Sequence, residues 1–209
     1  MPRIAQSGEK GCRKKTSNKW FETQDNIAYY EDFGKEKIVW NRISSELCFC
    51  YDNQKIFIAD SMFMITCNSN FKTKYLIGVL NSSLSKHWIK QNAATLGANG
   101  YEMSKIFVEK IPIPKITAKN KKTADEIANL VDTILEAKNL CHTELSQESE
   151  VSQSTKEIFC SAQDDNKDIS VSAKPQYDTK IKDLQSQIDS LVYALYGLDS
   201  HEIDIIKNS

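Results

Sequence analysis

The sequence predicts an α+β protein, in which a small mixed or antiparallel sheet domain with packed helices is followed by a long antiparallel helical hairpin. Three observations lead to this prediction. Segments rich in β-branched and aromatic residues, which favour strands, cluster before residue 67. Apolar residues then recur at helical spacing from Thr73. Two heptad-like series of apolar residues follow residue 117, as in paired helices.

Short strands are predicted in the first part of the chain, at residues 36–43, 48–51, 55–58 and 61–66. Their β-branched and aromatic side chains suit a half-buried pleated surface. The pair Asp52-Asn53 ends the second strand, since both residue types readily form turns. Strands this close together in the sequence favour an antiparallel or mixed sheet.

A helical segment is predicted over residues 73–91, with a break at Asn81-Ser82-Ser83. One face of it is apolar, as expected of a helix that packs on a core, and comprises Tyr75, Leu76, Val79, Leu80 and Leu84. Residues 92–104 are predicted to form a loop, and residues 105–110 a strand. The segment Ile111-Pro112-Ile113-Pro114 must be extended, because proline disfavours the helical conformation of the residue before it.

Two helices after residue 117 are predicted to form the hairpin. Each carries apolar residues at the alternating three- and four-residue spacing of a heptad seam. The residues are Ile127, Leu130, Ile134, Ala137 and Cys141 in the first helix, and Ile181, Leu184, Ile188, Leu191, Leu195 and Leu198 in the second. Gly197 is predicted to end the second helix, and Asp199 to cap a last short helix over 200–207.

These segments divide the chain into four predicted parts. Residues 1–18 form a flexible basic arm or the start of a fragment, and residues 19–116 form the globular domain. Residues 117–141 and 176–209 form the helical hairpin. The polar insert between them, 142–175, is predicted to be disordered, because it has too little apolar surface to offset chain entropy.

Charge is divided along the chain, although the formal net charge is only −1. Residues 1–120 contain 18 Lys and Arg against 11 Asp and Glu, whereas residues 121–209 contain 9 against 17. A basic body with an acidic appendage indicates a polyanionic partner. Chance variation in charge along the chain is the alternative explanation.

The sequence disfavours several classes of protein. No apolar run approaches the ~18 residues needed to span a bilayer, and the N-terminus has no apolar signal segment. We therefore expect a cytoplasmic protein without membrane contact. The 6 cysteines include no C-x-x-C pair and the 3 histidines are scattered, which disfavours a zinc site and predicts free thiols.

Catalytic motifs are absent from the sequence. It contains no glycine-rich cofactor turn, no Asn/Asp-Pro-Pro-aromatic loop and no phosphate-binding G-x-x-x-x-G-K-S/T, so nucleotide or methyl-donor binding by these motifs is excluded. Glu36-Lys37 and Glu109-Lys110 lack the partner carboxylate that a metal-dependent nuclease needs. We predict no catalytic and no metal-ligating residue in this chain, with a magnesium-dependent nuclease as the weakest alternative.

A surface for nucleic acid is the remaining candidate site. Asn and Arg side chains match the hydrogen-bonding edges of adenine and guanine, and lysines near them would contact phosphate. The predicted contacts are Asn41, Arg42, Ser44, Lys90, Asn99, Tyr101, Lys105 and Lys110. For Arg42 the alternative is an ordinary surface salt bridge, and for the glycine-flanked Asn99 it is an ordinary turn.

The order of five segments resembles the C-terminal specificity domain of TaqI-like adenine-N6 DNA methyltransferases, which occur in Type IIG restriction–modification enzymes. The similar segments lie at residues 19–44, 57–66, 75–84, 105–115 and 188–198. They include K-W-F-E-T-Q, I-V-W-N-R-I-S, Y-L-I-G-V-L-N-S-S-L and K-I-P-I-P-K. Glu102 and Ser104 depart from the resemblance, because basic residues are common at those positions in relatives.

The resemblance implies that residues 19–116 are a target recognition domain that reads double-stranded DNA. It also implies a methyltransferase domain or subunit, with an endonuclease in some relatives, that flips an adenine and methylates it from S-adenosylmethionine. That cofactor and Mg²⁺ are expected only in such upstream domains, so no cofactor is expected in this chain. A non-catalytic protein–protein adaptor that uses the C-terminal heptad helices is the alternative function.

Overall fold

The computed structural model describes residues 19, 29–45, 47–67, 73–97, 100–148 and 175–209. These residues form two three-stranded antiparallel sheets and six α-helices, with a short 3-10 helix at Tyr30–Gly34 before the first strand. The predicted α+β class is confirmed. The arm predicted at 1–18 and residues 149–174 of the predicted insert lie outside the described residues.

The main sheet places β1 (Lys37–Asn41) between β3 (Cys50–Asp52) and β4 (Met62–Thr66). Both neighbours run antiparallel to β1. The indole of Trp40 stacks on Phe63, with 5.7 Å between ring centroids, and is 3% exposed. One face of this sheet therefore forms a wall of the hydrophobic core.

The small sheet has the order β2 (Ile43–Ser44), β6 (Gly100–Glu102) and β5 (Thr95–Leu96). It corrects two predictions. The strand predicted at 36–43 is two strands separated at Arg42, and the loop predicted at 92–104 contains β5 and β6. The pairing partners of β2 lie far away in the sequence, as Ile43 opposite Glu102 shows, so no local pattern indicates them.

The strand predicted at 55–58 is wrong. The carboxylate of Asp52 accepts hydrogen bonds from the backbone N–H groups of Gln54, at 2.8 Å, and Ile56, at 3.2 Å. The intervening Lys55 adopts a positive φ of 61°. An Asp side chain that bonds nearby backbone groups in this way competes with a strand ladder, so the segment folds back as a turn.

The strand predicted at 105–110 is also wrong, because Lys105–Val108 forms the short helix α3. Val108 and Ile111 are buried whereas Ile106 is 61% exposed. Burial at a spacing of three residues is helical rather than strand-like. The apolar content of this segment thus reflects a half-buried turn of helix.

The helical segment predicted at 73–91 is confirmed, including its break. It consists of α1 (Thr73–Leu80) and α2 (Ser83–Asn92). The hydroxyl of Ser82 accepts a hydrogen bond from the backbone N–H of Ser85 at 3.3 Å, which is the bond expected of a serine N-cap.

The long helices α4 (Lys121–Glu148) and α5 (Pro175–Tyr196) pack against each other and against α1. Ile127 and Ile188, from the two predicted seams, lie in the same buried cluster as Ile38 and Trp40. Helices and main sheet therefore share one core. Helix α4 continues past residue 142, where the polar insert was predicted to begin, and the predicted domain boundaries stay a prediction.

The end of α5 follows the predicted capping pattern. Gly197 has a φ of 69°, and the N–H of Leu198 donates to the carbonyl of Tyr193 at 3.1 Å, as in a Schellman motif. Asp199 and Glu202 then form a capping box at the start of α6 (Ser200–Lys207). Both predictions are confirmed.

The expectation of thiols that form no disulfide is confirmed for Cys48 and Cys67. It is wrong for Cys50, which is disulfide-bonded.

Two tyrosines fix the extended proline segment to the helices. The hydroxyl of Tyr75 donates to the carbonyl of Pro114 at 2.9 Å, and that of Tyr196 donates to the carbonyl of Pro112. Burial raises the pKa of each tyrosine to about 12. For Tyr196, a smaller contribution to the raised pKa comes from the charge that Tyr75 would carry.

We predict that Gly78→Ala destabilises the protein. A Cβ at this position would lie 2.6 Å from Cγ2 of Ile127 and 3.1 Å from Cγ2 of Val131. Because both methyl groups belong to buried β-branched side chains, α4 must move away from α1. Overpacking of this kind costs about 1–3 kcal/mol, measurable as a lower free energy of unfolding in urea. The control is Gly34→Ala, where no atom lies within 4 Å of the added Cβ; equal effects of the two changes would contradict the prediction.

We predict a loss of stability between pH 10 and about 12 that depends on Tyr75 and Tyr196. Their pKa is raised from 10.0 to about 12 on folding, so the unfolded chain loses these protons first as the pH rises. The contribution is complete below pH 10 and is lost as the pH passes about 12. Urea unfolding at several pH values should show a smaller alkaline loss in Tyr75→Phe, whereas Tyr29→Phe, at a side chain 54% exposed, should behave as wild type. An unchanged alkaline loss in Tyr75→Phe would count against the prediction.

Candidate nucleic-acid interface

Arg42 lies at the junction of the two sheets, and its backbone is held on both sides. Its N–H donates to the carbonyl of Ser61 at 2.8 Å, and its carbonyl accepts from the N–H of Met103 at 2.7 Å. The first bond belongs to the main-sheet side and the second to the small-sheet side. The backbone is therefore fixed while the side chain, 56% exposed, points into solvent.

The indole of Trp40 strengthens this junction. Its Nε1 donates to the carbonyl of Met103 at 2.7 Å, and this bond is buried. Met103 itself is 1% exposed. Because a buried hydrogen bond to the backbone is costly to break, β6 and the start of α3 are kept in register with β1.

The guanidinium of Arg42 lies 3.8 Å from the carboxylate of Glu102. Both side chains are partly exposed, and the separation is near the limit of an ion pair. Such surface pairs contribute about 0–1 kcal/mol. The alternative of a surface salt bridge is therefore correct as geometry, but this pair is weak enough to be exchanged for another anion.

The pairing of the small sheet separates its two faces. Ser44, Tyr101 and Thr95 lie directly opposite one another and so share one face. Tyr101 packs against the core cluster, which makes this the inner face. The outer face consequently carries Ile43 and Glu102, together with Leu96.

The predicted contacts thus fall into groups. Asn41 and Arg42 are exposed where β1 ends, and Lys105 and Lys110 are exposed on and just after α3, shortly beyond β6. Ser44 and Tyr101 are half-buried on the paired strands β2 and β6. The structure brings the strand residues together around one junction.

Two further predicted contacts are not placed there. Lys90, at the end of α2, donates through Nζ to the carbonyl of Ser209 at 2.8 Å. Nδ1 of His87 lies 2.7 Å from the hydroxyl of the same serine, which ties α2 to the residues after α6. Asn99 lies outside the described residues. Contact of Lys90 or Asn99 with DNA stays a prediction.

Sequence reasoning missed two groups of exposed apolar residues. Ile43 and Leu96 are 57% and 41% exposed, and only the pairing of the small sheet shows that they share its outer face. A separate aromatic cluster lies at the opposite end of β1 and comprises Tyr29, Tyr30, Phe33 and Phe57. The 62% exposure of Phe57 follows from the Asp52 turn, which the pattern of residues 55–58 did not indicate.

Among the described residues, no three His, Cys, Asp or Glu side chains cluster so as to hold a metal ion. No helix in the described part of the chain is both long and apolar enough to cross a bilayer.

Comparison with known families identifies the family of the chain. The chain matches none of the curated proteins with which it was compared. A family model described as TaqI-like C-terminal specificity domain matches residues 4–113, which covers more than half of the 209 residues and includes both sheets and α1 to α3. The chain therefore belongs to the family of TaqI-like C-terminal specificity domains, the DNA-recognition modules of restriction–modification enzymes.

Proposed function

We propose that this chain is the sequence-specific DNA recognition module of a Type IIG restriction–modification enzyme, an adenine-specific DNA methyltransferase with an endonuclease. The observation that carries the proposal is Arg42, a half-exposed and weakly paired guanidinium on a backbone fixed from two sheets, in a chain of the specificity-domain family. Preorganised side chains of this type give base recognition at little entropic cost.

In this proposal Arg42 and Asn41 are the side chains that reach base edges. Arginine makes a bidentate contact with guanine, and asparagine with adenine. Lys105 and Lys110 contact phosphate and fix the register on the duplex. Most of the affinity would then come from phosphate contacts and fall steeply as the salt concentration rises.

Catalysis is proposed to take place in a methyltransferase domain or subunit outside this chain. That partner would bind S-adenosylmethionine, with Mg²⁺ serving any endonuclease, and would receive the flipped adenine. The missing cofactor and nucleotide motifs in this sequence support this division of labour. Because its substrate is cellular DNA, we propose that the protein acts in the cytoplasm.

The adaptor alternative is less well supported by the geometry. It requires the heptad seams of α4 and α5 to be available to a partner. Ile127 is 0%, Leu184 9% and Ile188 1% exposed, and all three pack within the chain. These three seam residues are therefore already used inside the chain.

We predict that Arg42→Ala reduces discrimination at one base pair of the target by about 1–3 kcal/mol, the typical contribution of a bidentate base contact. Competition between a duplex selected by the wild-type chain and single-base variants would measure it. The matched control is Lys182→Ala, which removes one exposed positive charge from α5.

The salt dependence separates base contact from phosphate contact. If Arg42 were only a phosphate anchor, affinity would fall equally for every sequence and the salt slope would drop by about one. Unchanged affinity and unchanged selectivity in Arg42→Ala would contradict any DNA contact by this residue.

We predict that the full chain alone is monomeric, because Ile127, Leu184 and Ile188 of the two seams are buried within it. Sedimentation velocity at increasing concentration should give a constant sedimentation coefficient. A dimer in the low micromolar range would contradict this expectation and return support to the adaptor alternative.

A further inference from the structure

The outer face of the small sheet carries an exposed apolar pair. Ile43 is 57% and Leu96 41% exposed. They lie on β2 and β5, the two edge strands of this sheet, which are separated by β6. Opposed residues of neighbouring strands share a face, as do residues two apart in one strand. Since Ile43 opposes Glu102 and Leu96 opposes Gly100, both apolar side chains point outward together.

Gly100 leaves the space between them low and flat. A Cβ at this position would lie 2.6 Å from the backbone carbonyl oxygen of Leu96 and 3.7 Å from Cγ2 of Ile43. The first distance excludes a side chain there without movement of β5. The centre of the face is therefore bare backbone, bordered by the two apolar side chains.

The surroundings of this face are charged. Glu102 lies on the same face, opposite Ile43, and is paired only weakly with Arg42, which adjoins Ile43 in the chain. The exposed Lys105 and Lys110 follow β6 in the sequence. An apolar pair beside an arginine that can exchange Glu102 for another anion suits a ligand that presents methyl groups between two rows of phosphates.

We propose that this face enters the major groove of DNA and recognises thymine through its C5 methyl group, with Ile43 and Leu96 as the contacting side chains. The inference rests on the proposed function and names the base that this function would read. Neighbouring strands lie about 4.8 Å apart, and the major groove, about 12 Å wide, admits β-ribbons. Apolar side chains distinguish thymine there because only its edge carries a methyl group.

The test removes the proposed methyl contact in two ways, once from the DNA and once from the protein. The full chain is first used to select duplexes from a randomised library. Each thymine of the enriched sequence is then replaced singly by deoxyuridine, which lacks only the C5 methyl group. Binding is measured for wild type, Ile43→Ala and Leu96→Ala. The control is Ile106→Ala on α3, since Ile106 is 61% exposed, close to the 57% of Ile43.

We expect deoxyuridine at one or two positions to weaken wild-type binding about fourfold, as for loss of one buried methyl group. The same replacement should have a smaller effect on Ile43→Ala and on Leu96→Ala than on wild type, whereas Ile106→Ala should respond as wild type. Because both residues are largely exposed, the variants should keep the unfolding midpoint of wild type. If one of them does not, the other and the milder Ile43→Val provide the comparison.

Three results overturn the inference. Wild type could bind every deoxyuridine duplex as tightly as the thymine duplex, or the loss could be as large in Ile43→Ala as in wild type. Self-association that Ile43→Ala abolishes, with DNA binding unchanged, would assign the face to a second copy of the chain. Each of these leaves the proposed function intact, whereas failure to enrich any sequence would overturn the proposed function as well.

Discussion

The structure depends on the way in which one residue, Arg42, is shared by two sheets. Its backbone N–H is bound to Ser61 and its carbonyl to Met103, so the chain crosses from β1 to β2 without a loop. The buried bond from Trp40 to the carbonyl of Met103 fixes the same crossing from inside. Because these backbone bonds hold the crossing, the side chain of Arg42 makes only a weak ion pair with Glu102 and can meet a ligand.

The far end of β1 is held by a different interaction. Lys37 and Asp52 are 0% and 3% exposed at their side chains and form an ion pair there, and Lys37 also donates to the carbonyl of Phe33 at 2.9 Å. Removing one partner of a buried pair typically costs about 3–5 kcal/mol. The pair therefore anchors both the 3-10 helix and the Asp52 turn, and these two elements carry the exposed aromatic cluster.

The sequence was sufficient where the signal is local. The break between α1 and α2, the Gly197 end of α5 and the Asp199 cap all follow from neighbouring residues. It was insufficient where a side chain or a distant strand determines the backbone conformation. The Asp52 carboxylate holds a strand-like segment in a turn. Part of the predicted glycine-rich loop forms β6, because it pairs with the distant strand β2. The candidate site was predicted in part. Arg42 could be predicted because arginine is a residue type that reads base edges. The exposure of Ile43 could not, because it depends on the pairing of β2 with β6, in which Ile43 lies opposite Glu102.

A recognition surface needs a rigid backbone and side chains that are free to exchange partners, and the junction at Arg42 supplies both. Its hydrogen bonds of 2.7 and 2.8 Å are backbone bonds that a bound duplex need not disturb. Its ion pair with Glu102, at 3.8 Å, contributes little and can be given up. In the proposed function, a guanine edge or a phosphate replaces Glu102 at small cost, and a glutamate freed in this way can accept a hydrogen bond from the amino group of cytosine. The departure from basic residues at position 102 is thus compatible with base reading, because an acid in the groove discriminates where a lysine would only attract.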